Sequence, residues 1–383
     1  MKTRDLRLSL ASLGAAFAFS NVTIGQVWLQ TSAPMTNWSS VSCSADGSKL
    51  VAVVGGLEGQ IFASTNSGLT WNPTSASLTN WAAVASSADG NNLLAAVGYP
   101  EGAIYLSTNG GALWTPATAP IQAWQAVASS ADGATLAAAG FGPIYVSHDW
   151  GGTWTPTSFP YKLWNSLAMS ADGTRLVGGA MIDRLYSAAV SATNWNQSQP
   201  TSTNWTVTAS ADGTRFAAAA NPGPLLLSTD SGVTWTPSAA PGFGWDAVAC
   251  SADGNTLVAA TFWQIYLSLD GGATWTNTAA PSLNWRALAS SADGNKLVAI
   301  SINGGIYIWQ ATPAPVLTLS PSGSNVLLSW TVPSIDFALQ QNSSLNTPNW
   351  TDVPTTPALN FTTLRSQVVV LQTKTSLFYR LKH

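Results

Sequence analysis

Trp81-Ala82-Ala83-Val84-Ala85-Ser86-Ser87-Ala88-Asp89-Gly90 is the stretch that decides the fold. A short apolar run headed by tryptophan enters a Ser-Ala-Asp-Gly turn. The same turn returns with its Asp at 46, 89, 132, 172, 212, 253 and 293, a period of 40 to 43 residues. Beyond the turn, Leu93 to Val97 reads as a second strand and Ile104-Tyr105-Leu106 as a third. A glycine-bearing turn then leads to Trp114 and a fourth. Four short antiparallel strands in about 40 residues make one propeller blade. An α-solenoid is excluded, because no segment sustains a 3.6-residue period and Gly or Pro interrupts throughout.

Each unit also carries Trp-x9-Trp, in pairs from Trp28/Trp38 to Trp275/Trp285, which account for 14 of the 19 tryptophans. The termini imply closure. The chain opens on a lone half-unit at Trp28, and the last unit stops after Ile306-Tyr307-Ile308 without its fourth strand. A strand near Trp28 can complete that sheet and remove two exposed edges. The expectation is an all-β chain: a seven-bladed propeller over 26–312, the N-terminal strand closing the last blade, and a small β-sandwich over 313–383.

The third-to-fourth-strand turns carry a resemblance. Ser147 to Trp154, Ser228 to Trp235 and Ser268 to Trp275 read S-x-D-x-G-x-T-W; Ser64 to Trp71 and Ser107 to Trp114 place Asn66 and Asn109 at the Asp position. These turns resemble the Asp-box of BNR-repeat propellers, a superfamily that includes sialidases, sortilin-type receptors, xyloglucan-cleaving glycosidases and photosystem II assembly factors. The period is also similar to that of WD40/YVTN-like arrays. The resemblance implies a fold rather than an activity. Ser187 to Trp195 lacks both the acid and the glycine. Val316 to His383 resembles fibronectin-type-III-like C-terminal modules of secreted bacterial proteins, with Leu328-Ser329-Trp330 and Phe378-Tyr379-Arg380-Leu381 as its marks.

Only 8% of the 383 residues are charged and the net charge is −3, with no basic run. Nucleic-acid binding needs clustered Lys and Arg, so it is excluded. Lys2, Arg4 and Arg7 precede the apolar stretch Leu8 to Phe19, which reads as an export signal over 1–25. That stretch is too short for a bilayer, which takes roughly 20 residues. A secreted, periplasmic or cell-surface monomer without membrane insertion is expected. Cys43 and Cys250 occupy equivalent positions in units one and six, which are not neighbours in a seven-fold ring, so two buried thiols are expected rather than a bridge.

Ten of the 17 acids sit in the two kinds of turn. Glu58, Glu101, Asp183 and Asp246 remain for the opposite, ligand-bearing face. Glu58 and Glu101 lie at matching positions in adjacent units and could act as acid and base of a glycosidase. A sialidase is disfavoured: Arg175 and Arg215 follow Asp-Gly turns, leaving Arg184 and Arg286 short of an arginine triad. His148 and His383 form no metal or Ser-His set, so neither metal nor cofactor is expected. The residue after the second Trp varies as Ser39, Ala82, Gln125, Asn165, Thr206, Asp246 and Arg286, which points to a channel mouth. Asp246, Arg286, Trp263, Asp183, Arg184, Gln125 and Asn165 are therefore the candidate ligand contacts. Three readings follow: a non-catalytic propeller binding a protein or glycan, a glycoside hydrolase using Glu58 and Glu101, or an assembly factor for a membrane complex.

Overall fold

The computed structural model describes residues 17–19, 27–198, 201–202, 204–310, 317–322, 325–331, 338–343, 349–360, 365–371 and 377–382. Most of the export-signal reading lies outside these. Two compact units emerge, Val27–Gln310 and a second built from Met1–Gln26 with Ala311–His383.

Seven four-stranded antiparallel blades make up the first unit. Blade two runs outward through Trp81–Ser86, Leu93–Val97, Ile104–Ser107 and Thr115–Pro116. The inner strands of blades one and three to seven start at Trp38, Lys162, Asn204, Trp245, Trp285 and, for blade three, Trp124. Second strands such as Leu50–Val54 and Leu93–Val97 are buried along their whole length, because neighbouring blades cover both faces. The inner tryptophans are 0–1% exposed. In six blades that ring meets a third-strand aromatic edge-to-face, as in Trp81–Tyr105 at 5.3 Å and Trp124–Tyr145 at 5.9 Å. Blade five has Leu226 at that position.

The Ser-Ala-Asp-Gly turns have a role beyond their own hairpins. The Ala45 N–H donates to the Ala88 carbonyl, and Ala88, Ala131, Ala171, Ala211 and Ala252 each donate to the next alanine in the series. Ala292 donates back to Ala45, so the cycle closes at 2.7–2.8 Å per bond. Within each turn the buried serine hydroxyl donates to the Asp and accepts the amide five residues on, as Ser87 does with Asp89 and Asn92. The glycine is required twice over. Gly47 has φ +64°, and a Cβ there would lie 2.8 Å from Lys296 Cδ of blade seven.

These bonds hold the turn carboxylates below their usual range. The Ser44 and Ser210 hydroxyls, with the amides of Ser48 and Thr214, bring Asp46 and Asp212 down to about 2. The corresponding serines lower Asp89, Asp132, Asp172 and Asp253 in the same way. At Asp293 burial pushes upward and is outweighed by Ser291 and Asn295. A folded-state pKa below the unfolded value of about 3.9 contributes stability above that pH and loses it as pH falls through the folded value. The melting temperature is therefore expected to drop between about pH 4 and 2, and Asp46→Asn with Asp212→Asn should flatten that slope. A melting temperature level across that interval would contradict it.

Closure is direct. Leu29 and Gln30 pair antiparallel with Ile308 and Tyr307, completing blade seven as expected. Trp28 packs 6.2 Å from Trp285 and donates its indole N–H to Thr278 Oγ1 of blade six at 2.9 Å. The buried Lys296 of blade seven donates to the Gly47 carbonyl at 3.0 Å and to Ser67 Oγ at 2.7 Å in blade one. Blades three and four are further joined by Phe141↔Leu163 and Gly142↔Lys162.

The thiols differ from simple buried hydrophobes. Cys43 and Cys250 are free and half-buried, and each donates at 3.2 Å to a carbonyl of the preceding blade, Ser290 and Ala209 respectively. Burial pushes them up to about 12 and about 11, so they stay protonated.

The second unit contains two four-stranded sheets. Leu328, Trp330 and Val368 from one sheet share a core with Leu339 and Tyr379 from the other, which makes a small sandwich. Phe17–Phe19 pairs in parallel with Tyr379–Leu381.

Candidate functional site

The two ends of the propeller are chemically different. At one end, each third-to-fourth-strand turn leans on a Ser-Ala-Asp-Gly hairpin, as Ser67 N–H does on the Ser48 carbonyl at 2.8 Å. Carboxylates here are absorbed by turn structure: Asp149 accepts Ser147 Oγ, Thr153 N–H and Thr153 Oγ1, each at 2.8 Å. Arg215 also stays at this end, donating to Asn255 Oδ1 at 3.1 Å.

The other end carries the loops between second and third strands and the links that enter each inner strand. A loop and the following link lie side by side, bridged by Thr79 N–H to the Gly59 carbonyl at 3.0 Å and by the Gly102↔Gln122 pair. That geometry sets exposed apolar side chains on neighbouring segments: Leu57 with Leu78, Tyr99 with Ile121, and Phe141 with Tyr161. Phe141 and Tyr161 are 61% and 66% exposed and meet edge-to-face at 5.6 Å. Three consecutive junctions, spanning blades one to four, thus each expose two apolar side chains, and at the third the two rings are in contact. Sequence reasoning missed them. Their signal was an apolar residue at or just beyond the end of the second strand in blades one to three, Leu57, Tyr99 and Phe141.

The variable position after the second Trp is a β-bulge in six blades; only blade five keeps regular pairing there. A bulge re-aims one side chain and frees it from the ladder. Three of these residues nevertheless brace the next blade. Ser39 Oγ donates to the Trp81 carbonyl at 2.8 Å, Asn165 Nδ2 to the Trp205 carbonyl at 3.0 Å, and Thr206 Oγ1 to the Asp246 carbonyl at 2.8 Å. Gln125 and Arg286 are exposed.

Asp246 and Arg286 are close enough for their charges to interact. Asp246 is half-buried and accepts a bond from Asn221 Nδ2. Burial raises its pKa, opposed by the Asn221 bond and by Arg286.

Asp183 and Arg184 form a separate group on blade four. Asp183 pairs with Lys162 at 2.6 Å and accepts the Tyr186 hydroxyl at 3.2 Å, while Arg184 Nη1 donates to the Ser198 carbonyl beside the outer strand at 2.9 Å. The Asp183 bond raises Lys162, and burial raises Tyr186. Glu58 and Glu101 are both exposed. Among the described residues, no group of three or more His, Cys, Asp or Glu could hold a metal ion.

Two solved structures share this architecture. YCF48 from Cyanidioschyzon merolae superposes with a TM-score of 0.58 at 17% identity, covering 74% of this chain and 98% of its own. YCF48 bound to D1 peptide gives 0.58 and 17%, covering 79% and 100%. No known family profile matches the chain, and no curated protein matches it. The likeness is one of fold, a β-propeller.

Proposed function

We propose that this chain is an exported, non-catalytic propeller that holds a protein partner on its loop face. The carrying observation is the run of exposed apolar pairs across blades one to four, on loops fixed by backbone bonds. Contiguous exposed apolar surface marks interaction sites, whereas apolar residues scattered singly do not. The turn end has only the scattered kind, one per turn, such as Leu69 and Leu113. Aromatics able to anchor a partner are Tyr99, Phe141 and Tyr161, with Gln125 and Asn165 nearer the channel and the Asp246–Arg286 pair to set orientation. The fold likeness to a propeller solved with a peptide supports an extended protein segment as the partner, and the Asp-box resemblance of the turns fits the same group. Assembly of a membrane complex is the biological setting this suggests.

The test compares Phe141→Ser/Tyr161→Ser with the turn-end control Leu69→Ser/Leu113→Ser. A protein co-purifying with the wild-type chain from export-compartment extracts should be lost with the first pair and kept with the second. Hydrolysis of a polysaccharide that disappears in Glu58→Gln would overturn this reading in favour of a glycosidase.

A further inference from the structure

On the far side of the loop face from the apolar pairs, blade six has a differently constructed surface. Its second-to-third-strand loop is a tight turn held by the Gln264 N–H donating to Thr261 Oγ1 at 3.2 Å and the Thr261 N–H donating to the Gln264 carbonyl at 2.9 Å. The turn leaves Trp263 56% exposed, with Phe262 standing edge-to-face against it at 4.5 Å. Such a ring is displayed by a rigid support rather than by a loose loop. Tyr266 donates its hydroxyl to Gln264 Oε1 at 2.6 Å, which fixes the amide and leaves its NH2 end for other acceptors. Thr261, Trp263, Gln264 and Ser282 together line an open depression without a single charged group.

The entry loop of the same blade adds a second displayed ring. Gly242 and Gly244 have φ +131° and +84°, and Phe243 between them is 71% exposed. A Cβ on Gly242 would lie 3.7 Å from Thr261 Cγ2, so the two loops lie close together. The blade-six surface therefore combines flat aromatic faces with amide and hydroxyl groups, and the four residues lining the depression are uncharged.

We propose that this depression is a binding site for a neutral saccharide, with one pyranose ring stacked on Trp263 and its hydroxyls exchanging hydrogen bonds with Gln264, Thr261 and Ser282. A pyranose has an apolar C–H face and a rim of uncharged hydroxyls, which matches an indole flanked by amide and hydroxyl groups. An anionic sugar finds no cation in the lining. A peptide finds none of the leucine and isoleucine side chains exposed on blades one to three. The assignment does not depend on the protein-partner reading, because the two surfaces share no residue.

The test is calorimetric titration of the full chain with neutral hexasaccharides of β-linked glucose and of mannose, alongside an acidic hexagalacturonate. At least one neutral hexasaccharide should bind, and the acidic one should not. Trp263→Ala should weaken that binding about ten-fold or more, as loss of an aromatic stacking contact implies. Trp263→Phe should restore most of it, and Phe141→Ser/Tyr161→Ser should leave it unchanged. Failure of every neutral hexasaccharide at millimolar concentration, equal binding of the acidic one, or binding that survives Trp263→Ala would each overturn the proposal. So would a peptide displaced from the chain by Trp263→Ala while no saccharide binds.

Discussion

Removing residues 27–31 is expected to collapse the stability of the whole propeller, not only of blade seven. The deletion takes away the pairing of Leu29 and Gln30 with Ile308 and Tyr307, and the buried Trp28 with them. Loss of a buried tryptophan alone costs roughly 3–5 kcal/mol, against a total that is typically about 5–15 kcal/mol. The strand Ile306–Gln310 would also become an exposed edge. Thermal unfolding of the truncated chain should begin at a much lower temperature, with aggregation following. Lys296→Met should shift unfolding in the same direction by less, because it removes two hydrogen bonds across the same seam while the strand remains. An unchanged melting temperature after the deletion would mean that the N-terminal strand does not close the ring.

Trp124→Ala should be nearly as damaging. Its ring is fully buried, packs edge-to-face on Tyr145, and donates to the Gly102 carbonyl of blade two at 3.1 Å. The cavity and the lost transfer free energy together cost about 3–5 kcal/mol. The adjacent bulge residue is exposed, so Gln125→Ala should stay within about 0.5 kcal/mol of wild type. Denaturant unfolding of the two variants checks both values, and equal costs would mean that the bulge position is structural.

The contrast between these neighbours shows what the sequence could reveal. A feature repeated seven times is legible because each copy reports the same constraint, so the tryptophans, the turn aspartates and the closing strand could all be read in advance. The turn alanine recurs in every unit, yet nothing within one unit explains it. Its role is a hydrogen bond to the next blade, and no single unit contains both partners. Variation at the bulge position was visible, but its cause lies in strand register. Two bulge residues, Ser39 and Asn165, and the regularly paired Thr206 of blade five turn out to brace adjacent blades.

The functional face was harder to read for a related reason. Phe141 and Tyr161 are 20 residues apart, and they meet only because the end of blade three's second strand pairs with the start of blade four's inner strand, beside which Tyr161 lies. Asp183 and Arg184 are adjacent in sequence yet engage different partners, Lys162 and the outer-strand carbonyl of Ser198. Charge content said that few ionic contacts were available. It did not say which uncharged side chains the loops would expose.

Amide hydrogen exchange at the turn alanines tests the closed ring most directly. In a ring held by one cycle of bonds, the Ala292 amide crosses the seam to the Ala45 carbonyl, just as the Ala131 amide in the middle of the chain reaches the Ala171 carbonyl of the next blade. All seven amides should then exchange slowly and at similar rates, governed by opening of the whole ring. Fast exchange at Ala292 beside slow exchange at Ala131 and Ala171 would show an open array and contradict the account.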